Sequence, residues 1–452
     1  MAMSTSLTTL LPKFSRAKIL VVGDLMLDEF IWGKVSRISP EAPVPVVWVQ
    51  SESVMPGGAA NVANNVSALS GQVSVVGVVG EDRWGGLLIE ELDKRRIDTS
   101  GVVKVSRPTT VKTRVIAHHQ QVVRVDREQR EPLPAGTVDR LIKAVAARLS
   151  DVDAVVLEDY GKGVITRQLL EAVIPLARER RTLIKVDPKQ EHFELYRRVT
   201  ALTPNLVEAG EALGRELESD TDVQRAGLEI LRKLECEALL ITLGENGMCL
   251  FEQNGRRTMI PTVAQEVFDV AGAGDTVIAT FTLALASGAT MEQAARFANY
   301  AAGIVVGKLG VAVATPEELR ARLSARERLR TSRRSVRLPA AQQGRGSRAA
   351  QAGRPLSARR SLDSHHGLRP WALPRLRSAF VPSEAQPSRG TRASTSLGTR
   401  PERGRRPSRG TRASTSLGIR PERGRRPSRG TRSGFRPTGG KEGTTGSARG
   451  TP

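Results

Sequence analysis

Asp275 closes the stretch "DVAGAGD" and leads directly into the apolar run "TVIATFTLALASG". Gly272 and Gly274 ahead of a helix let backbone N–H groups converge on an anion, aided by the positive end of the helix dipole. A carboxylate at that helix start can take a proton from a substrate hydroxyl while the N–H groups hold the phosphoryl group under attack. General-base assistance of this kind is worth ~10²–10⁴ in rate, and stabilisation of the transferring group adds to it. Taken alone, the stretch reads equally well as a tight turn with Asp275 as a helix cap. It is not a Walker A loop, because no Gly-Lys-Ser/Thr follows.

Two further clusters carry suitable groups. In "VVGDLMLDEF", Asp24 ends an apolar run and Asp28 follows four residues later. Ligands of open α/β sheets bind beyond the carboxyl ends of the strands, and two carboxylates there suit a polyhydroxylated substrate. A helix cap plus a solvated acid is the plain alternative. In "PGGAANVANNVSA", Gly57 and Gly58 permit close backbone approach at a helix start, and Asn61 and Asn65 lie one turn apart on one face. That amide pair reads as ligand-binding, or as satisfied core amides in a packed helix.

These residues need a scaffold. From Lys18 onward, "KILVVGD", "VSVVGVVG", "DAVVLEDY", "TLIKVD" and "ALLITLG" read as strands buried on both faces. Amphipathic helical patterns alternate with them, as in "RWGGLLIEELDKRR" and "ITRQLLEAVIPLARER". The alternation predicts an α/β fold with a mostly parallel central sheet flanked by helices. "SRISPEAPVPVVWVQSESV" and "TTVKTRVIAHHQQVVRVDRE" break the rhythm. Their prolines and period-two alternation predict a small β lid over about residues 31–54 and 108–127, serving as a flap or dimer surface.

The net charge of +22 over 452 residues suggests a nucleic-acid binder, but its distribution says otherwise. Of 69 basic and 47 acidic residues, 28 and 5 fall in 331–452, which leaves a nearly balanced 41 and 42 in 1–330. The tail is rich in Arg, Gly, Pro and Ser and too poor in aliphatics to offset its ordering entropy, so disorder is expected. It repeats "PSRGTRASTSLG(T/I)RPERGRR" from Pro387 and again from Pro407. Its 27 Arg to 1 Lys is the skew of GC-rich DNA read out of frame, which suggests an appended C-terminus. The organisation expected is an N-terminal extension (1–17), one catalytic domain (18–330) and a low-complexity tail (331–452). Two cysteines, Cys236 and Cys249, make no disulfide framework. With neither a signal peptide nor a membrane-length apolar stretch, a cytoplasmic location is expected.

Taken in order, "VVGDLMLDEFIWGKVSRISPEAPVPVV", "PGGAANVANNVSAL", "HQQVVRVD", "LEDYGKG", "VDPK", "LTPNLVE", "EVFDVAGAGDTVI" and "FANYAAGIVVGKLG" resemble the PfkB/ribokinase-like family of sugar kinases. The flap and "QQVVRVD" are similar to its heptose 7-phosphate kinase branch. The resemblance implies ATP-dependent phosphorylation of D-glycero-D-manno-heptose 7-phosphate at C1, with Mg²⁺ and a monovalent cation as cofactors. It casts Asp275 as catalytic base and Gly272, Ala273 and Gly274 as the anion hole. Asn205, Leu206, Val207 and Glu208 would meet ATP, with Glu208 helping to hold Mg²⁺ through water; Thr242, Gly244 and Gly247 would line the nucleotide site. Asp24, Asp28, Gly57, Gly58 and Asn61 would hold the sugar, with Gln121 and Arg124 reaching in from the lid. Lys162, Lys189 and Arg124 are the candidates for the 7-phosphate. Ala271 departs from the threonine this branch usually carries. Bifunctional relatives continue into an adenylyltransferase domain with an H-x-G-H motif, which His365-His366-Gly367 does not match, so no adenylyltransferase is expected. The other readings are a kinase for a ribose- or fructose-type sugar, or a nucleic-acid binder acting through the basic tail. Expected partners are the sugar phosphate, ATP and a second copy through the lid, with no membrane and only non-specific nucleic acid.

Overall fold

A computed structural model describes residues 6–335 apart from 119, 130 and 265. α10 carries the described residues five positions into the expected tail, and the expectations for the rest of the tail, its repeats and His365–Gly367 lie outside the described residues. In chain order the elements are α1 (Leu7–Leu10), β1 (Lys18–Gly23), β2 (Leu25–Ile38), β3 (Pro45–Gly58), α2 (Ala59–Ala68), β4 (Gln72–Gly80), α3 (Arg83–Lys94), β5 (Asp98–Val105), β6 (Thr110–Ala117), β7 (Gln120–Arg127) and α4 (Thr137–Ala146). There follow β8 (Ala154–Glu158), α5 (Arg167–Glu179), β9 (Leu183–Asp187), β10 (Ala201–Leu202), α6 (Leu206–Glu211), α7 (Asp220–Leu234), β11 (Ala238–Thr242), β12 (Met248–Glu252), β13 (Arg257–Ile260), α8 (Ala273–Ala286), α9 (Met291–Val305) and α10 (Pro316–Ser335).

Nine strands form the main sheet in the order β13-β12-β11-β10-β9-β8-β1-β4-β5. All its neighbours are parallel except β11/β12 and β12/β13, which pair antiparallel at one edge. The expected parallel sheet is therefore present. Its central strands are aliphatic on both faces because helices cover both, and two apolar clusters result. One joins β1 and β4 to α2, α8 and α9; the other joins β8, β9 and β11 to α4, α5 and α7.

β3, β2, β6 and β7 form a separate four-stranded sheet. This is the β lid, and its first excursion differs in extent from expectation. The first excursion runs from Leu25 to Gly58, longer at both ends, so Asp28 lies within a lid strand, while Gly57 and Gly58 close β3 and Gly58 caps α2, at the helix start the sequence predicts. The second excursion pairs with β2, in parallel from Met26↔Thr110 to Gly33↔Ala117, and not with the proline-rich strand β3. β7 closes the edge antiparallel to β6. No helix among the described residues is long and apolar enough to cross a membrane.

Candidate active site

The parallel strands end on one side of the sheet, where β1 delivers Asp24, β8 delivers Glu158 and β9 delivers Asp187. α8 starts at the same place. Its cap, Gly272, has φ 73°, and a Cβ there would lie 2.8 Å from the Asn61 amide nitrogen. Both facts demand glycine. Ala273 N donates to the Val270 carbonyl (3.2 Å). Gly274 is exposed, with nothing within 4 Å of the place a Cβ would take, so the first turn of α8 is open to an anion at its positive end.

Asp275 is buried (6 % exposed) and held at both oxygens. Asn61 Nδ2 donates to Oδ2 at 2.6 Å and Tyr160 Oη donates to Oδ1 at 2.8 Å. Burial raises its pKa, and the hydrogen bonds from Asn61 and Tyr160 pull the other way. Asn65 locks α2 to α8: its amide donates to the Asn61 carbonyl (2.9 Å) and its Oδ1 accepts from Thr276 Oγ1 (2.8 Å). The Asn61/Asn65 face thus holds Asp275 and satisfies its own core amides, the structural one of the two readings of that pair.

The expected sugar carboxylates separate in role. Asp24 accepts three backbone hydrogen bonds at 3.0 Å, from Tyr160 N and Lys162 N to Oδ2 and from Val164 N to Oδ1. It organises the loop after β8, and burial lifts its pKa against those three bonds. Asp28 sits in β2 and pairs with Arg114 of β6 at 2.5 Å. A Cβ on Gly57 would lie 2.6 Å from an Asp28 carboxylate oxygen, and one on Gly58 (φ 55°) 2.6 Å from the Asp24 carbonyl. The Gly-Gly pair therefore brings β3 against both acids.

On the lid, Gln121 is exposed and Arg124 pairs with Asp126 (2.9 Å). Lys162 reaches Glu128 (2.8 Å), and Lys112 bridges Asp126 (3.2 Å) and Glu128 (3.6 Å). Arg124, Lys162 and Lys112 thus converge on two acids at the end of β7. Lys189 stands apart from that group: it is exposed, and its charge acts on Glu208. Lys112 and Arg114 were missed in the sequence, where they look like ordinary polar positions of a half-exposed strand.

Just past the carboxyl end of β10, on the same side of the sheet, Asn205 caps α6 in a reciprocal box with Glu208: Glu208 N donates to Asn205 Oδ1 and Asn205 N to Glu208 Oε2, both at 2.9 Å. Leu206 is half-buried and Val207 is 66 % exposed beside them. Thr242 N donates to the Pro204 carbonyl (3.0 Å), which joins this turn to the end of β11. Gly244 and Gly247 form the bend that follows, closed by Leu243 N donating to the Gly247 carbonyl at 2.8 Å. The nucleotide residues inferred from the sequence are thus neighbours in space.

Glu158, Asp187 and Asp275 bring carboxylate oxygens within 4.8 Å of one another. Both Glu158 oxygens are buried without a hydrogen-bond partner. Burial and the charge of Asp187 raise the Glu158 pKa well above the usual carboxylate range, and burial with the charge of Glu208 does the same to Asp187. The two orphaned Glu158 oxygens, with those of Asp187 and Asp275 close by, fit a hard divalent cation such as Mg²⁺. Glu208 adjoins this group but is not one of the three. Glu158 and Asp187 escaped the sequence reading, although an acid closing each of two buried apolar strands was the available signal.

A mostly parallel sheet with a buried carboxylate at a glycine-rich helix start and a separate β lid is the arrangement expected of a sugar kinase. Residues 16–318 match the profile described as pfkB family carbohydrate kinase, and the chain belongs to that family. It is 48 % identical over 301 residues to "Bifunctional protein HldE" of Geobacter metallireducens, covering 66 % of this chain and 61 % of the relative. The chain therefore spans about three-fifths of that relative's length. The fold is shared with phosphofructokinase-2 from Escherichia coli in complex with potassium (TM-score 0.59, 19 % identity, covering 68 % of this chain and 99 % of that one). It is shared too with Arabidopsis thaliana ribokinase complexed with ribose and ATP (TM-score 0.55, 21 % identity, 68 % and 98 % covered).

Proposed function

We propose that this sugar kinase transfers the γ-phosphoryl group of ATP to the C1 hydroxyl of D-glycero-D-manno-heptose 7-phosphate. The product would be the 1,7-bisphosphate used in ADP-heptose synthesis. The observation that carries this reading is Asp275, fixed at both oxygens at the open start of α8, with a cation-bearing lid nearby. Asp275 accepts the hydroxyl proton as the sugar oxygen bonds to phosphorus and the bond to the ADP oxygen breaks. The first turn, Gly272 to Gly274, holds the transferring group. Asp28, Asn61 and the Gly57-Gly58 backbone line the sugar side; Asn205 to Glu208, Thr242, Gly244 and Gly247 line the nucleotide side. A divalent cation at Glu158 and Asp187 would neutralise phosphate charge during transfer. Lys162 and Arg124, with Lys112, are the 7-phosphate candidates, each exchanging an acidic partner for the substrate.

A monovalent cation belongs to the proposed cofactor set, with a potassium titration of the rate as its check. Dimerisation through the lid and the three-part division at 17/18 and 330/331 are proposed as well. The expected lack of adenylyltransferase activity is checked by incubating the full chain with ATP and heptose 1-phosphate.

The test is kinetic. Asp275→Asn should retain substrate binding while turnover falls by about 10²-fold or more. Near-normal turnover overturns the role of Asp275. A panel of heptose 7-phosphate, ribose, fructose and fructose 6-phosphate decides the substrate, and preference for a pentose or hexose replaces the heptose reading.

A further inference from the structure

We propose that Tyr160 is a positioning residue for the base: its phenol fixes which lone pair of Asp275 Oδ1 remains for the substrate hydroxyl. The proposal rests on the kinase reading above. A carboxylate at a helix start can swing about its Cα–Cβ and Cβ–Cγ bonds, and a base that swings spends little time aligned for proton transfer. Asn61 holds Oδ2 alone, which leaves the plane of the carboxylate free to tilt about that contact. The phenol on Oδ1, at 2.8 Å, removes that freedom. Each oxygen keeps one further lone pair, so both contacts can persist while the sugar binds.

The phenol can act in this way only if its own backbone is fixed, and three side chains bind the loop that carries it. Asp24 accepts the N–H groups of Tyr160, Lys162 and Val164. Asp159 accepts that of Gly161 at 2.8 Å and is itself held by Tyr196 Oη (2.5 Å) and His192 Nδ1 (2.7 Å). Arg107, at the crossing from the main sheet to the lid, donates to the Lys162 carbonyl at 3.1 Å and to that of Gln129 at 2.6 Å. Three buried side chains spent on six residues of loop is a heavy investment in polar burial. Its outcome is the placement of the phenol on the base.

The test uses the full chain with Tyr160→Phe, which removes one oxygen and keeps the ring. The expected result is a kcat lower by about ten-fold, with both KM values within two-fold and an unchanged melting temperature. Combining it with Asn61→Ala asks whether both act on one group: because each loosens the same carboxylate, the two losses in kcat should fail to multiply. Unchanged kcat in Tyr160→Phe overturns the proposal. So does a loss that multiplies fully with that of Asn61→Ala, or one matched by a fall in melting temperature and a rise in KM, since the phenol then only packs. A wild-type chain that phosphorylates no sugar overturns the kinase reading instead, so the two failures are distinguishable.

Discussion

Lys185 lies wholly inside the protein on β9, its amine 3.7 Å from the centre of the Phe281 ring and without a hydrogen-bond partner. Burial pushes its pKa well below that of a free lysine, and the charges of Cys236 and Glu237 offset only part of this. Above the unfolded value of about 10.4 neither state is charged. As the pH falls below it, the unfolded chain takes up a proton that the native chain refuses, and stability drops until the folded pKa is reached. Lys185→Met should therefore stabilise the protein at neutral pH by roughly 1–3 kcal/mol, the scale of burying an unsatisfied polar group. Urea midpoints at pH 7 and above pH 10 check this; a gain that fails to shrink at high pH refutes the electrostatic cause. "TLIKVD" reads as a strand buried on both faces, and Lys185 is the charged side chain that this burial encloses. Asp275 and Asn61 were legible because glycine spacing and helical periodicity are local signals. Tyr160, Glu158 and Lys112 were not, because their importance comes from neighbours more than a hundred residues away, or from strand pairing.

Asp82 shows how an element boundary sets the lid. It caps α3 through Gly85 N (2.8 Å) and reaches across to the entrance of β6, accepting from Thr109 N (2.8 Å) and Thr109 Oγ1 (2.7 Å). Thr109 Oγ1 in turn accepts from Gly80 N (2.9 Å) at the end of β4. Burial alone would raise the pKa of Asp82, but the hydrogen bonds from Thr109 and Gly85 outweigh it and the net shift is downward. A depressed carboxylate stabilises the fold above its unfolded pKa, and that contribution is lost as the pH falls through the lower, folded value. Asp82→Ala should cost about 1–2 kcal/mol at neutral pH, with the gap to wild type closing below about pH 4, as chemical unfolding across pH would show. The parallel sheet was readable because strands buried on both faces are aliphatic throughout. The lid was recognisable as β from its alternation, yet its pairing was not, since period two fixes a strand's faces and leaves its neighbour open. The parallel match of β2 with β6 depends on the chain crossing back from β5, a feature of topology that no local pattern carries.

At the scale of the whole molecule, the lid leaves apolar surface uncovered while the main sheet is sheathed by helices. Trp48 is 70 % exposed, Ile38 60 % and Val125 54 %, and every residue of β7 is exposed along a sheet edge. An edge strand with exposed apolar residues is the kind of surface through which chains associate, and a lid pairing with its own copy would do so about a two-fold axis. Two of the cations proposed for the 7-phosphate, Lys112 of β6 and Arg124 of β7, lie on the same sheet, so pairing two lids would stiffen the strands that present them. The expected outcome is a dimer in sedimentation equilibrium, shifted to monomer by Trp48→Lys with Val125→Glu, and a KM for the sugar phosphate raised several-fold in the monomer while the KM for ATP stays put. A chain truncated after Arg330 should remain dimeric and active, because every residue of the lid precedes that point. A truncated chain that is monomeric, or a Trp48→Lys/Val125→Glu variant that still dimerises, moves the association surface off the lid.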